Sequence, residues 1–122
     1  MKRFLLFILT ACALVGCTPS PEKALPVMRD YLKDQISKPE TYNPGIVEFV
    51  SKGSIDVSGT KYWQNIPASG NIDVVLLRHE FNYETSFGMN MDKAYYFYMN
   101  PKMDLVYYAH PDSGGPLFTL SE

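Results

Sequence analysis

Apolar positions along the chain recur with two different periods, and each period predicts a kind of element. From Lys23 to Ser37, Leu25, Met28, Leu32 and Ile36 return at three- and four-residue steps with Tyr31 beside them. Arg29, Asp30, Lys33 and Asp34 fill the opposite side, so the stretch predicts one amphipathic helix. Pro26 is compatible with the first turn only, where a missing N–H has no helical partner to lose, so the regular helix starts near Leu25. Pro39 closes it, because the residue before a proline avoids helical angles.

Beyond a turn-rich corner over Lys38–Pro44 the period changes to two. Ile46 to Val50 is strand-like, and Ser54 to Val57 continues it after a bulge expected at Gly53. Ser58 to Asn71, with Gly59, Pro67 and Gly70, forms a long connection that contains Trp63. Ile72 to Tyr83 is the strongest strand: Val75, Leu77, His79, Phe81 and Tyr83 alternate with Val74, Leu76, Arg78, Glu80 and Asn82. A turn over Glu84–Asn90 follows. Ala94–Met99 and Leu105–His110 then flank a hairpin loop at 100–104 with Pro101 at a turn position. Pro111 to Glu122 is a Gly/Pro-rich tail with an extended piece at Leu117–Leu120. This order predicts an α+β fold, with one N-terminal helix packed on an antiparallel meander of about four strands, similar to cystatin-like sheets that grip one helix. The helix followed by a proline–tyrosine corner also loosely resembles small uncharacterised domains of exported bacterial proteins, a resemblance that implies no activity.

The first residues follow another logic. Lys2 and Arg3 precede an apolar run of about 12 residues that opens with Phe4–Leu9, the layout of an export signal. Spanning a bilayer takes roughly 20 apolar residues, so this run is too short to cross. Leu14-Val15-Gly16-Cys17 resembles the lipobox of bacterial lipoproteins, in which the cysteine thiol receives diacylglycerol and a dedicated peptidase cuts before it. The resemblance implies a signal peptide over 1–16, a lipidated tether over 17–22 and a single domain over 23–122. It implies a covalent lipid on Cys17, attachment to the membrane and a place in the cell envelope. Thr18 stands where an aspartate holds many Gram-negative lipoproteins at the inner membrane, which favours the outer membrane in such an organism. Leu9-Thr10-Ala11-Cys12 fits the same pattern, but a cut there would shorten the apolar run to about seven residues. A plain secretory signal with an incidental cysteine, or an uncleaved N-terminus, are the alternatives to lipidation.

Composition narrows the partners. Removing 16 of the 122 residues leaves 106, one small domain. Without Lys2 and Arg3 it has nine basic against thirteen acidic side chains, a net charge of −4. That balance argues against nucleic acid and against a polybasic membrane patch. With Cys17 acylated and Cys12 removed, the domain has no cysteine left and holds together by packing.

Candidate chemistry is sparse. Asp112-Ser113-Gly114-Gly115-Pro116-Leu117 resembles, letter for letter, the nucleophile segment of chymotrypsin-like serine proteases. That family places a glycine N–H just before the aspartate as an oxyanion donor, whereas Pro111 has no N–H, and 106 residues cannot build two β-barrels. His79 and His110 are the only histidines, and on adjacent strands they would meet and bind a metal together with Glu80 or Asp112. Metal sites usually take three or four ligands, and strand histidines are more often packed. Glu48, Asp56, Asp73, Glu80 and Asp92 show no pairing suited to glycoside hydrolysis. Alternation sends Tyr95 and Phe97 to one face, Tyr96 and Tyr98 to the other; one set packs under the helix, the other is covered by the 58–71 connection or exposed. Exposed, Tyr96, Tyr98, Tyr108 and Trp63 would form a strip that contacts an envelope protein or a glycan. The sequence thus points to a non-enzymatic interaction or assembly module with no cofactor beyond its lipid. Its rival is a small metal-assisted hydrolase using His79 and His110.

Overall fold

The computed structural model describes residues 20–121; the expected signal, Cys17 and the first part of the expected tether lie outside them. Pro21–Ala24 form a 3-10 turn that leads into helix α1, Leu25–Lys33, with Pro26 in its first turn as the missing N–H requires. The helix is shorter than its periodicity predicts. At Asp34 the N–H bonds back to Tyr31 and Leu32, and Gln35 and Ile36 also bond to the Leu32 carbonyl, so the chain leaves α1 through a tightened turn. Ile36 nevertheless stays half-buried below the helix end. A 3-10 turn over Pro39–Thr41 then swings the chain into the sheet.

Four antiparallel strands follow in sequence order: β1 (Asn43–Asp56), β2 (Asn71–Glu84), β3 (Asn90–Met99) and β4 (Val106–Pro111). The fold is α+β, a short N-terminal helix ahead of an antiparallel meander. One end of the sheet carries the 57–70 connection and the 100–105 turn, and the other carries the 85–89 turn and the 34–42 corner.

β1 is a single long edge strand that runs through both expected segments, 46–50 and 54–57, as far as Asp56. Its register against β2 slips between Pro44 and Val47 and again between Phe49 and Ser51, leaving Val50 without a partner. The irregularity predicted at Gly53 thus sits three residues earlier, and Gly53 has a different role. The tail comes back to pair Ser121 with Ser54 in an antiparallel bridge, and a Cβ on Gly53 would stand 2.4 Å from the Ser121 carbonyl oxygen. Only a residue without a side chain admits that approach.

Two cores result. On one face the stripe Ala24, Met28 and Leu32 packs on Val47, Val75, Leu77, Phe81, Phe97, Met99 and Ala109. Tyr31 meets Phe97 edge-on at 5.6 Å between ring centroids. Full burial of a Met or Leu side chain contributes about 1.5–3 kcal/mol, so the stripe alone accounts for the docking of so short a helix. On the other face Val74, Leu76, Tyr96 and Tyr98 are roofed by Trp63 from the 57–70 connection and by Phe118 and Leu120 from the tail.

Gly53→Ala is expected to lift the tail from β1 and to destabilise the protein by about 1–3 kcal/mol, the usual penalty for overpacking. Hydrogen exchange reads it directly: the amides of Ser54 and Ser121, which bond to each other's carbonyls at 2.6 and 2.8 Å, lose protection first.

Candidate functional site

The aromatic strip predicted at the surface is interior. Trp63 is 7% exposed, Tyr96 8% and Tyr98 0%, and Tyr108 is half-buried beside them. The expected alternation of β3 holds, with Phe97 under the helix and Tyr98 opposite. The second face is covered rather than displayed, because the 57–70 connection and the tail both fold over it. Trp63 lies nearly parallel to Tyr107 and Tyr108 and meets Phe118 edge-on at 5.2 Å. The Tyr98 hydroxyl accepts from the Phe118 N–H at 3.0 Å and donates to the Phe118 carbonyl at 3.3 Å. Trp63 Nε1 is buried without a partner, a loss of about 1–3 kcal/mol that the four surrounding rings offset. As surface contacts these residues are therefore corrected: the strip is a second core.

His79 and His110 do not meet. Register aligns His79 with Tyr95 but His110 with Tyr96, so the two rings project from opposite faces of the sheet. His79 is fully buried on the helix side. Its Nδ1–H donates to the Ile46 carbonyl at 3.1 Å, which leaves Nε2 to accept the Tyr42 hydroxyl at 2.6 Å. That neutral tautomer suits its surroundings. Burial lowers the pKa of His79, against the raising effects of the Ile46 carbonyl and the Glu80 charge. Burial likewise pushes Tyr42 up to about 12, so the phenol keeps its proton for the bond. His110 is held as tightly on the other face: Nδ1–H donates to the Pro111 carbonyl at 2.9 Å, and Nε2 accepts the Leu117 N–H at 3.4 Å. Both rings have their nitrogens engaged in structural bonds. Among the described residues no group of three or more His, Cys, Asp or Glu is placed to hold a metal ion.

The protease-like string is a tether for the tail. Asp112 Oδ1 accepts the N–H groups of Gly114 and Gly115 at 3.2 and 3.1 Å, with both glycines at positive φ, 136° and 120°. Asp112 Oδ2 takes Arg78 Nε at 2.9 Å. The Arg78 bond, followed by the Gly114 N–H, holds the Asp112 carboxyl below the usual carboxylate range. Arg78 also reaches Glu80 at 2.6 Å and Glu48 at 3.4 Å, which tie its guanidinium to β1, β2 and the tail at once. Sequence reasoning missed this node. The available signal was one arginine interrupting the apolar run of β2, since a charge there needs partners.

Exposed chemistry lies elsewhere. The turn joining β2 and β3 is built on Thr85, whose hydroxyl accepts the N–H groups of Phe87 and Met89. Phe87 is 90% exposed there, and Met89 is exposed beside it. Phe49, Val50, Lys52, Val75 and Pro101 line a shallow hollow of about 690 Å³ along β1. A polar hollow of about 600 Å³ surrounds Arg78, Glu80, Asp92, Lys93 and Asp112. No family model, curated protein or solved structure matches this chain.

Two outcomes follow from this geometry. Changing Tyr96 and Tyr98 together to Ser should destabilise the protein by at least about 3 kcal/mol in urea melts, as truncation of buried aromatics does. His79 generates an acid dependence. The unfolded side chain titrates near its ordinary 6.5 and the buried one lower, so as pH falls protons bind the unfolded chain first. Stability present above pH 6.5 is lost as pH falls toward the folded value. In His79→Gln the stability difference between about pH 7 and pH 5 should shrink, measured as the shift in urea midpoint.

Proposed function

We propose that this chain is a lipid-anchored protein of the bacterial cell envelope, with diacylglycerol on Cys17 and a non-enzymatic interaction or assembly module behind it. The observation that carries the reading is Leu14-Val15-Gly16-Cys17, placed after a basic start and a short apolar run and immediately before a polar, proline-containing tether. Each buried methylene contributes about 0.8 kcal/mol, so two or more acyl chains anchor a protein durably. Among the described residues no helix is long and apolar enough to cross a membrane. Thr18 in place of an aspartate favours the outer membrane where the organism has one.

The non-enzymatic part rests on where the polar side chains spend their bonding capacity. The two-histidine hydrolase is not carried forward, because the rings lie on opposite faces and each bonds to its own scaffold. Contact with an envelope protein or glycan passes instead to the exposed Phe87 and Met89. A helix stripe laid on a four-stranded meander also supports the cystatin-like arrangement as the finer description of the fold.

Cys17→Ser tests the anchor. Cells fed labelled palmitate should label the wild-type protein, while the variant should take up no label and keep its uncleaved signal. Unlabelled wild-type protein, or a variant that matures and localises unchanged, overturns the assignment. Phe87→Ser with Met89→Ser tests the contact surface: stability should stay within about ±0.5 kcal/mol while crosslinks to neighbours in intact cells are lost.

A further inference from the structure

We infer that the groove under the tail is a peptide site which the chain fills with its own residues 117–121. In trans it accepts an extended segment of another protein that carries an aromatic residue and, two positions on, an aliphatic one. The inference stands apart from the lipid anchor and from the exposed Phe87 turn.

The tail is held the way a bound peptide is held. Its described residues contain no helix or strand beyond the Ser121 bridge, and its ties there are to main-chain atoms. The Leu117 N–H bonds to His110 Nε2, and the Phe118 N–H and carbonyl both bond to the Tyr98 hydroxyl. The Ser121 N–H and carbonyl both bond to the main chain of Ser54. Such contacts recognise an extended backbone whatever its side chains, and pockets at alternate positions supply the selectivity. That alternation is present: Phe118 and Leu120 turn into the second core, while Leu117 and Thr119 are exposed. Phe118 sets its ring edge-on against three others, Trp63 at 5.2 Å and Tyr98 and Tyr108 at 5.7 Å each. A cage of that kind suits any flat ring.

The walls have supports of their own. The Trp63 N–H bonds to the Thr60 carbonyl, and the Gln64 N–H ties the connection to the Tyr107 carbonyl at 2.8 Å. Tyr98 and Tyr108 face each other across β3 and β4, and His110 is fixed by its bond to Pro111. The plug itself sits shallow, with Phe118 and Leu120 only half-buried. Trp63 Nε1, a buried donor of the ring that meets Phe118, has no acceptor, so the tail leaves it unmatched.

The tail also has a hinge. Gly114 and Gly115 stand at positive φ, and a Cβ on either would meet nothing within 4 Å, so this turn is clear of the sheet. Residues beyond it can leave while the Arg78–Asp112 pair and the four strands stay as they are. Opening of that extent breaks a few individual ties and belongs to the low-energy kind of local unfolding. A short tether keeps the tail beside its groove at an effective concentration of about millimolar, so the closed form prevails until a competing segment is supplied.

A severed tail tests this. A cleavage site for a sequence-specific protease, inserted between Gly115 and Pro116 of the full chain, lets the protein fold with every core residue present before the cut. The probe is a fluorescent peptide of residues 116–122, Pro-Leu-Phe-Thr-Leu-Ser-Glu, followed by anisotropy. Cleaved protein should exchange its tail for the probe saturably. Uncut protein should bind at least about tenfold more weakly, because its tethered tail competes. On the cleaved protein the Phe118→Ala peptide should lose about tenfold or more, and a peptide N-methylated at Phe118 about fivefold. Cleaved protein that stays folded and ignores the probe overturns the inference, as does equal binding by uncut protein or by the Phe118→Ala peptide. Unfolding on loss of the tail, read by circular dichroism, overturns it too, since the groove then does not exist without its plug. A dimer of the uncut chain that dissociates on cleavage gives the groove to a second copy and overturns the foreign partner.

Discussion

Over four successive residues each, β2 and β3 have no face open to water, and the rest of the molecule is arranged around that constraint. Val74, Val75, Leu76 and Leu77 are all buried in succession, as are Tyr96, Phe97, Tyr98 and Met99. A meander usually leaves one face to water and alternates accordingly. Here both faces must be covered, and the described residues form only the one sheet. Helix α1 covers one. The other receives a loop whose one regular piece is the 3-10 turn Val57–Gly59 and a tail held to the sheet by the Ser121 bridge, so both depend on individual polar ties. Gln64 and Asn65 tie the loop to the Tyr107 and Val106 carbonyls, and Arg78 to Asp112, His110 to Leu117 and Tyr98 to Phe118 tie the tail. Residues that look like chemistry in the sequence are in this way committed to closing the second core.

The limits of sequence reading follow from the same geometry. Helix position, strand order and the two-face alternation of β3 were legible because each is a local period written in side-chain polarity. Strand ends were less so: β3 begins at Asn90 rather than Ala94, because cross-strand pairing with Glu84 extends a segment whose own residues, Asn90 to Lys93, carry little strand preference. What covered Tyr96 and Tyr98 was not legible at all. Covering depends on where residues 63 and 118 come to rest, 20 or more residues away along the chain in each case, and no local pattern encodes that distance. The histidines illustrate the same point from the other side. Their parity is fixed by register, and the inserted Val50 on β1 and the slip between Tyr98 and Met99 show how readily register departs from a simple count.

Buried imidazoles in this protein are hinges of hydrogen bonding rather than reactive groups. In each, one nitrogen donates to a backbone carbonyl and thereby fixes the tautomer of the other. His79 joins β2 to the corner before β1 through Tyr42, and His110 joins β4 to the tail. A hydrophobic side chain of similar size would fill either site but would leave Ile46 or Leu117 with an unmatched backbone group, which is the physical reason for a polar residue in so apolar a setting.

The irregular course of β1 bears on how this protein behaves in company. An edge strand of fourteen residues with exposed Ile46, Phe49 and Val50 would ordinarily be a template for sheet-to-sheet association. Two slips of register, a proline at position 44 and the returning Ser121 break the row of free amides and carbonyls into pieces too short to zip with another chain. Crowded molecules of this kind can collide edge to edge at high concentration and part again, staying individual where a straighter strand would have seeded a fibre.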